Sequence, residues 1–512
     1  MKRNLLKAIG ICFLIFVVLS WIIPTGSYSG EGAKFTTGSI NAIGLFDLIG
    51  VPASTFVTFA LYVVVFCCIG GLYGVMHKTG ALDALVEKIC KKKAGKEKRF
   101  LICTIIFFAV LSSLTGLMLP LFALVPLFAM IFARMNVDKV ASLAATVGAI
   151  LVGSMASTYG FNISGYTKNI LFLDMNDQII AKVILLVLLT TALILFVVKF
   201  NAKKEVKAVK KEATVKKVET KKVEPKKAAP KKAVKTTKKP AKRTTKATTK
   251  NMAISKDVKK VNANKGISTL PLVIIFALMM IVSLFGMYNW YYAFGIEAFS
   301  NLHSTIMGVK IHGFPIFENL LSGINALGYW GNNEFVIMMV LAAIVIAFIY
   351  RLSINEFVES FIAGIKKMMP TALYAALASV ILSVLYQASY QGTGTITETM
   401  FHATMTMTGD FNVLTTGLTA LYGSFFYNDL YYLLYSLQTY ISGFSSGMIS
   451  IAGLLSQSMY SLAMILLPTS AILIAGLSYF DVSYKKWIKY IWKFAVVAAL
   501  IILLVCCILT LI

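Results

Sequence analysis

Long apolar runs separated by short polar segments dominate the chain. A helix of roughly 20 apolar residues crosses a bilayer core of about 30 Å. Runs of this kind occur near 8–24, 55–76, 100–134, 139–158, 179–199, 267–287, 334–350, 370–388, 411–440, 447–478 and 491–512. They lack the roughly ten-residue alternation of a membrane β-barrel. The pattern predicts an all-α polytopic membrane protein with about 10–12 transmembrane helices, and the longest runs leave room for re-entrant or broken helices.

Composition and charge agree with this pattern. The 512 residues are 58% hydrophobic and 14% charged, whereas soluble domains are about 45–50% apolar and about 25% charged. A formal net charge of +27 would by itself suggest nucleic-acid binding. However, residues 201–265 hold 24 Lys and Arg against 5 Asp and Glu, a net +19, and the rest of the chain carries 25 against 17, a net +8. Most of the basicity therefore belongs to one segment of a membrane protein.

That segment is predicted to be a linker. Residues 203–250 are mostly Lys, Ala, Thr, Val and Pro, so little apolar surface is available to offset the entropy of ordering. We expect a disordered cytoplasmic linker at 201–265 between an N-terminal membrane unit, 1–200, and a C-terminal one, 266–512. A polybasic segment also attracts anionic lipid headgroups. No aromatic residue is interleaved for base stacking, so we expect no nucleic-acid partner.

The distribution of Lys and Arg among the loops predicts the orientation. Eight basic residues lie in 77–99, 24 in 201–265 and four in 485–493, but only Lys34 in 25–54 and only Lys310 in 288–333. The positive-inside rule places the first three segments, with the N-terminus, in the cytoplasm of a multi-pass inner-membrane protein. No small-residue cleavage site follows the first apolar run, so we expect it to be retained as a span.

The two sides of the linker resemble each other. Three marker pairs have offsets of 271 to 273 residues: Phe46 and Phe317, Asp83 and Glu356, Glu87 and Glu359. Repeated halves are typical of secondary transporters, and the pattern fits inverted and parallel repeats alike. In each half an amphipathic stretch follows, at 81–95 and 354–368, which fits a helix in the membrane interface or an ordinary cytosolic helix.

Clusters of Gly, Pro and hydroxyl residues interrupt four of the apolar runs. Non-helical backbone within lipid is tolerated only where it lines a protein cavity, and broken helix ends suit anionic groups and Na+. Close helix packing through small residues is the alternative. The clusters are 112–116 with Pro120 and Pro126, 153–162, 424–429 and 466–470. The candidate substrate-binding residues are Ser154, Ser157, Thr158, Asn162, Asn428, Asp429, Pro468, Thr469 and Ser470, and the candidate ion-coupling residues are Ser113, Thr115 and Glu398.

Acidic residues are scarce within the apolar runs. Asp429 stands among aromatic residues, and Glu398 lies one helical turn before His402. A charge at membrane depth costs at least about 2.5–3.5 kcal/mol and therefore indicates function. For Asp429 the alternative is an interfacial tyrosine belt, and for Glu398 an external loop.

Enzyme chemistry has little support. The seven cysteines show no paired spacing, and the four histidines form no metal-binding pattern. No P-loop is present for ATP-driven pumping. We therefore expect no catalytic residues, no metal and no cofactor other than Na+ or H+ as a coupling ion.

The ends of the chain carry more specific motifs. Residues 22–28 read Ile-Ile-Pro-Thr-Gly-Ser-Tyr, a Gly-Ala-Leu-Asp-Ala turn occupies 80–84, and a Leu-Pro-Thr-Ser tip at 467–470 precedes a Tyr-Lys-Lys-Trp turn at 484–487. In these motifs the chain resembles the YfcC family, the DcuC-like branch of the C4-dicarboxylate anaerobic carriers in the ion transporter superfamily. The resemblance implies a transporter whose C-terminal tip falls on Pro468, Thr469 and Ser470.

Three other site motifs of that family differ here. The Asn-Pro pair expected near 157–160 and the acidic pair expected at 117–119 are absent, and the Pro-Ser-Gly tip expected near 425–430 is replaced by Phe-Tyr-Asn-Asp. The substrate and the coupling ion are therefore not carried over from the family.

The sequence predicts a secondary active transporter of a small organic solute, an amino acid or a carboxylate. It would work by alternating access, with ion coupling or exchange. A homodimer is compatible with this interpretation. A passive channel and a divergent, non-transporting scaffold are the alternatives, and a membrane enzyme is the least favoured.

Overall fold

The computed structural model describes residues 2–29, 34–219, 267–321, 323–389, 395–407, 410–427 and 429–512. Of residues 2–4, 29, 51, 55, 58, 200–219 and 382–389 it describes the backbone alone. Helices make up nearly all of the regular structure in these parts of the chain, as the sequence predicts.

The N-terminal half, up to the linker, holds ten α-helices, one π-helical turn and one β-hairpin among its described residues. The elements are α1 Lys2–Ile22, β1 Gly26–Ser29, β2 Lys34–Thr37, α2 Asp47–Lys78, α3 Ala81–Lys92, α4 Glu97–Thr115, α5 Met118–Phe122, α6 Val125–Arg134, α7 Lys139–Leu143, the π-helical turn Ala144–Gly148, α8 Ala149–Met155, α9 Ser164–Leu171 and α10 Ile179–Glu219.

The described part of the C-terminal half contains twelve helices and a second short hairpin. The elements are α11 Leu270–Met287, α12 Trp290–Phe294, α13 Ala298–Met307, β3 Lys310–Ile311, β4 Phe314–Pro315, α14 Ile316–Leu320, α15 Asn332–Ile349, α16 Ile354–Ser389, α17 Ile396–Met405, α18 Val413–Gly423, α19 Leu430–Ile441, α20 Ser446–Met464, α21 Ala471–Tyr479 and α22 Tyr484–Leu509. Both hairpins are antiparallel two-stranded sheets.

Seven helices in the described chain are long and apolar enough to cross a membrane. They are Leu5–Ile22, Phe59–Lys78, Glu97–Thr115, Ile179–Lys199, Leu270–Met287, Asn332–Ile349 and Tyr484–Leu509. Shorter apolar stretches at Met118–Arg134, Lys139–Met155 and Val413–Gly423 accompany them. The prediction of an all-α polytopic membrane protein is confirmed, whereas the number of crossings stays a prediction.

The predicted interruptions of the apolar runs are present as breaks between helices. The run at 139–158 ends with α8 and resumes in α9, and the run at 447–478 is divided between α20 and α21. The runs at 100–134 and 411–440 are divided in the same way, after α4 and after α18. Broken helices are therefore a feature of both halves.

Helix α10 extends further than the sequence predicts. It continues through 201–219, residues that the sequence analysis assigned to a disordered linker. This extension is expected because Ala, Lys and Glu are good helix formers, and an existing helix adds one hydrogen bond for each further residue ordered. The division of the chain into two units and a linker stays a prediction. Residues 220–265 lie outside the described part of the chain, and the prediction made for them stays a prediction.

The two predicted amphipathic stretches differ in structure. The first forms the separate helix α3, which ends in a turn where Gly95 has a φ of +75°. The second, 354–368, is the first part of the 36-residue helix α16 rather than a separate interface helix. No glycine stop comparable with Gly95 interrupts α16, and the helix continues through Pro370.

Helices α2 and α16 cross in unusually close contact and join the two halves. A Cβ added at Gly364 would stand 2.0 Å from the carbonyl oxygen of Gly70, and one added at Gly74 would stand 2.2 Å from the carbonyl oxygen of Ser360. Glycines spaced four residues apart allow this approach of two backbones in a membrane. The crossing therefore requires glycine at Gly70, Gly74 and Gly364.

We expect Gly364→Ala to destabilise the protein by about 1–3 kcal/mol or more, because its methyl group would overlap backbone atoms that cannot turn away. Thermal unfolding of the purified protein in detergent measures this. Gly50→Ala is the matched control on α2, since no atom lies within 4 Å of the added Cβ. Equal stability of Gly364→Ala and the wild type would contradict the described crossing.

Candidate functional site

Four breaks between helices form the candidate site. Tip A is 116–117, between α4 and α5; tip B is 156–163, between α8 and α9; tip C is 424–429, between α18 and α19; tip D is 465–470, between α20 and α21. The four predicted clusters fall on these breaks. Within lipid, such backbone must be buried in protein or line a cavity.

Tips A and B are in direct contact. Gly116 has a φ of +67°, and a Cβ added at Gly160 would stand 2.9 Å from its Cα atom. The N–H of Thr158 donates to the carbonyl of Ser113 at 3.0 Å. The Ser113 Oγ donates to the carbonyl of Ala156 at 2.6 Å. The end of α4 and tip B therefore form one packed unit whose polar groups are paired.

Helix α20 of the C-terminal half satisfies further carbonyl groups of this unit. The Gln457 Nε2 donates to the carbonyl of Ser157 at 3.2 Å, and the Ser458 Oγ donates to the carbonyl of Met155 at 2.7 Å. Both α20 side chains are completely buried. The end of a helix leaves backbone carbonyls without helical partners. Side chains from the other broken helix thus complete the break after α8.

The predicted hydroxyl residues of the N-terminal half lie at this contact, with Asn162 exposed at tip B. Their hydroxyl groups bond to the backbone of the protein itself. The carbonyl acceptors are Ala156 for Ser113, Leu111 for Thr115, Leu151 for Ser154, and Ser113 for Ser157 and Thr158. In this conformation the hydroxyls are used within the protein, at the breaks after α4 and α8. Their predicted role in binding stays a prediction.

Asp429 of tip C caps one helix and acts electrostatically on residues of three others. Its Oδ1 accepts the backbone N–H of Tyr431 at 3.0 Å and so caps the N-terminus of α19. Its carboxylate is close enough to act electrostatically on the hydroxyl groups of Tyr62 in α2, Tyr166 in α9 and Tyr460 in α20. This acid therefore lies within electrostatic range of tyrosines from three separate helices.

The predicted neighbour of Asp429 in tip C, Asn428, lies outside the described residues. Tip C also contacts α17, because the Tyr427 hydroxyl lies 2.7 Å from the Thr397 Oγ1. The sequence neighbour Glu398 follows on the same helix.

Tip D is held from the N-terminal end of α22. The Tyr484 hydroxyl donates to the carbonyl of Leu466 at 2.6 Å, and the Trp487 Nε1 donates to the carbonyl of Ile465 at 2.9 Å. The predicted residues of this tip are all buried: Pro468, Thr469 and Ser470. Over the part of the chain that is described, the Thr469 Oγ1 has no hydrogen-bond partner.

The polar residues of α20 were not among the predicted site residues. Ser456, Gln457, Ser458 and Ser461 are completely buried. Their signal was present as four polar residues within six positions of an apolar run. It was overlooked because none of them is Gly, Pro or charged, and they lie within a helix rather than at a break.

An aromatic segment covers tip B and α9. The Tyr288 hydroxyl donates to the carbonyl of Tyr159 at 2.8 Å. The Lys168 Nζ donates to the carbonyl of Tyr292 at 3.0 Å and lies 4.8 Å from the centre of that residue's ring. The segment after α11 therefore packs across the N-terminal half.

Comparison with known proteins identifies the family. The model of the C4-dicarboxylate anaerobic carriers, DcuC, matches residues 5–512. The chain belongs to the DcuC family. The family resemblance drawn from the end motifs is confirmed, and this DcuC member is a membrane transporter rather than an enzyme.

Two other comparisons are less informative. No curated protein matches the chain significantly. The crystal structure of the Alcanivorax borkumensis YdaH transporter, described as having an unusual topology, is 13% identical over 98% of this chain and 97% of that chain, with a TM-score of 0.35.

In this DcuC member a strap, the hairpin at 26–37, packs on α17. Gly26 and Thr395 exchange backbone hydrogen bonds of 3.0 and 2.9 Å, and the Thr399 Oγ1 donates to the carbonyl of Pro24 at 2.8 Å. The ring of Phe35 stacks on that of His402 at 3.9 Å. Residues 30–33 of the strap lie outside the described residues.

A directed chain of hydrogen bonds passes through the strap. The Tyr28 hydroxyl donates to Tyr440 at 2.6 Å, whose hydroxyl donates to the carbonyl of Glu398 at 3.3 Å. Because each hydroxyl has one proton, His402 must act as donor in its 2.7 Å contact with Tyr28, through a protonated Nδ1. The backbone carbonyl of Glu398, a predicted ion-coupling residue, is therefore the last acceptor of this chain of hydrogen bonds.

Burial raises the pKa of the Glu398 carboxyl above its usual value. The folded state thus favours the protonated acid, and its contribution to stability is complete at low pH and is lost as pH rises through the folded-state pKa. We expect Glu398→Gln to raise the Tm of the carrier at neutral pH and to leave it unchanged in acid.

Thermal unfolding in detergent between about pH 4 and pH 8 measures this difference. Glu318→Gln, at an exposed position in α14, is the control. A lower Tm of Glu398→Gln at neutral pH would show instead that the carboxylate makes a favourable contact.

Proposed function

We propose that this DcuC-family member is a secondary active transporter of a small zwitterionic solute of the amino-acid type. It would work by alternating access, with ion coupling or exchange. The observation that carries the proposal is the position of Asp429, an acid that caps α19 at a helix break and lies within electrostatic range of tyrosines of α2, α9 and α20. The N-terminus and residues 201–265 are assigned to the cytoplasmic side of the inner membrane.

The charges of the broken segments favour a substrate with a positive group. Residues 413–479 contain Asp429 as their single charged residue, and residues 144–171 contain only Lys168. The Lys168 amine is directed at Tyr292. A C4-dicarboxylate would bring two negative charges to a site whose own charge is negative, and like charges close together repel. A substrate ammonium group would be attracted to Asp429.

The carboxylate of a zwitterion has candidate partners at helix N-termini. Helix α9 begins after tip B, and α21 begins after tip D. Neither N-terminus receives a hydrogen bond from a capping side chain at Ile163 or Ser470. The helix dipole favours an anion at such an end. The substrate would therefore lie between an acid and the positive end of a helix.

Asp429→Asn tests the proposal, because Asn caps helices about as well as Asp but removes the charge. We expect wild-type protein in proteoliposomes to take up labelled zwitterionic amino acids in preference to dicarboxylates. Asp429→Asn should lower that uptake by about tenfold or more while its Tm stays close to that of the wild type.

Asp138→Asn is the matched control. Asp138 caps α7 by accepting the N–H of Val140 two residues further on, as Asp429 does at α19. This control should keep wild-type uptake. If Asp429→Asn transports the same solutes at the same rate as the wild type, the role proposed for Asp429 is wrong.

A further inference from the structure

Buried hydroxyl groups in the helices of this protein usually bond to their own helix. Ser154, Ser379 and Ser424 donate to carbonyls three or four residues earlier, at 2.7, 3.4 and 2.6 Å. The hydroxyls of Ser456 and Ser461 in α20 have no partner within the described structure, and the same holds for Thr190, Ser283 and Thr416 in other helices. In α20 the two serines flank a buried glutamine.

The amide of Gln457 lies between these serines and has a fixed orientation. Its Nε2 donates to the carbonyl of Ser157 in tip B at 3.2 Å. Because a carbonyl accepts hydrogen bonds only from the NH2 group of this amide, the Oε1 atom points away from the Ser157 carbonyl. The Oε1 is buried and has no donor in the described parts of the chain.

The oxygens of Gln457 and Ser461 belong to one face of α20. Residues four apart on a helix are neighbours, with their Cβ atoms about 5–6 Å from each other. The same face contacts tip B, because Gln457 bonds to Ser157 and Ser458 to Met155. The unpartnered oxygens therefore lie beside the joint between the two broken helices.

Amide and hydroxyl oxygens without a carboxylate are neutral, hard ligands. Such a set suits an alkali-metal cation better than a divalent ion, which is bound mainly through carboxylates. The surroundings favour a positive charge, since residues 413–479 contain no basic side chain and Asp429 acts electrostatically on Tyr460 of the same helix.

We propose that the Gln457 Oε1 and the Ser461 Oγ coordinate Na+ at this joint. The site differs from the predicted ion-coupling residues Ser113 and Thr115, whose hydroxyls already donate to carbonyls. Na+ would strengthen the link between α20 and tip B and so order one wall of the substrate site. The proposal rests on the joint itself and does not require the proposed zwitterionic substrate.

Thermal unfolding of the purified full-length protein in detergent tests the site without any substrate. NaCl replaces choline chloride stepwise at constant ionic strength, with KCl in a parallel series. We expect a saturable rise in the Tm of the wild type with Na+, because an ion that binds the native state stabilises it by mass action. An equal rise with KCl, or no rise, would overturn the assignment.

Ser461→Ala removes one proposed ligand and an unpartnered polar group together. It should therefore unfold at a higher temperature than the wild type without Na+ but lose the rise with Na+. Ser379→Ala is the control, since its hydroxyl bonds to its own helix, and it should keep the rise. Gln457→Met is a second variant in which the rise should be lost. A wild-type response in Ser461→Ala and Gln457→Met would contradict the proposal.

Discussion

The need to pair backbone carbonyl groups inside the membrane governs the centre of this structure. Where α8 ends, the carbonyls of Met155, Ala156 and Ser157 lose their helical partners, and each accepts a hydrogen bond from a serine or glutamine side chain. Those donors come from α4 and α20, one in each half of the chain. An unpaired polar group in lipid is costly, so the break in one helix requires the polar face of another, and the two broken helices remain joined.

Charged residues are scarce around this contact between α20 and tip B, and residues 413–479 contain Asp429 as their single charge. With the break stabilised by neutral side chains, Asp429 is not needed to hold tips A and B together. It caps α19, and we propose that its charge acts on the substrate. The Glu398 carbonyl accepts the hydroxyl of Tyr440, which itself bonds to Tyr28 of the strap, and the role of Glu398 in ion coupling stays a prediction. The strap connects the segment after α1 to α17 and, through Thr397 and Tyr427, to tip C.

Local features of the sequence predicted much of this fold. The lengths of the apolar runs indicated spans, and Gly116, Gly160 and Pro468 marked the breaks because each residue acts on its own backbone. The side chains that pair with the backbone at those breaks could not be predicted in this way. Gln457 donates to the carbonyl of Ser157, 300 residues away in the chain, and its local sequence does not indicate that acceptor. The ends of α10 and the continuity of α16 were missed for a related reason, since cooperative helix growth and tertiary contacts override local composition.

The central claim is that the breaks enclose a site for a solute with both a positive and a negative group. The most direct measurement is the Tm of the purified wild-type protein across a panel of neutral amino acids, cationic amino acids and C4-dicarboxylates at matched ionic strength, since a bound ligand stabilises the native state. The account predicts that one or more zwitterionic amino acids raise the Tm and that C4-dicarboxylates do not. A rise with a C4-dicarboxylate and none with any zwitterion would contradict it.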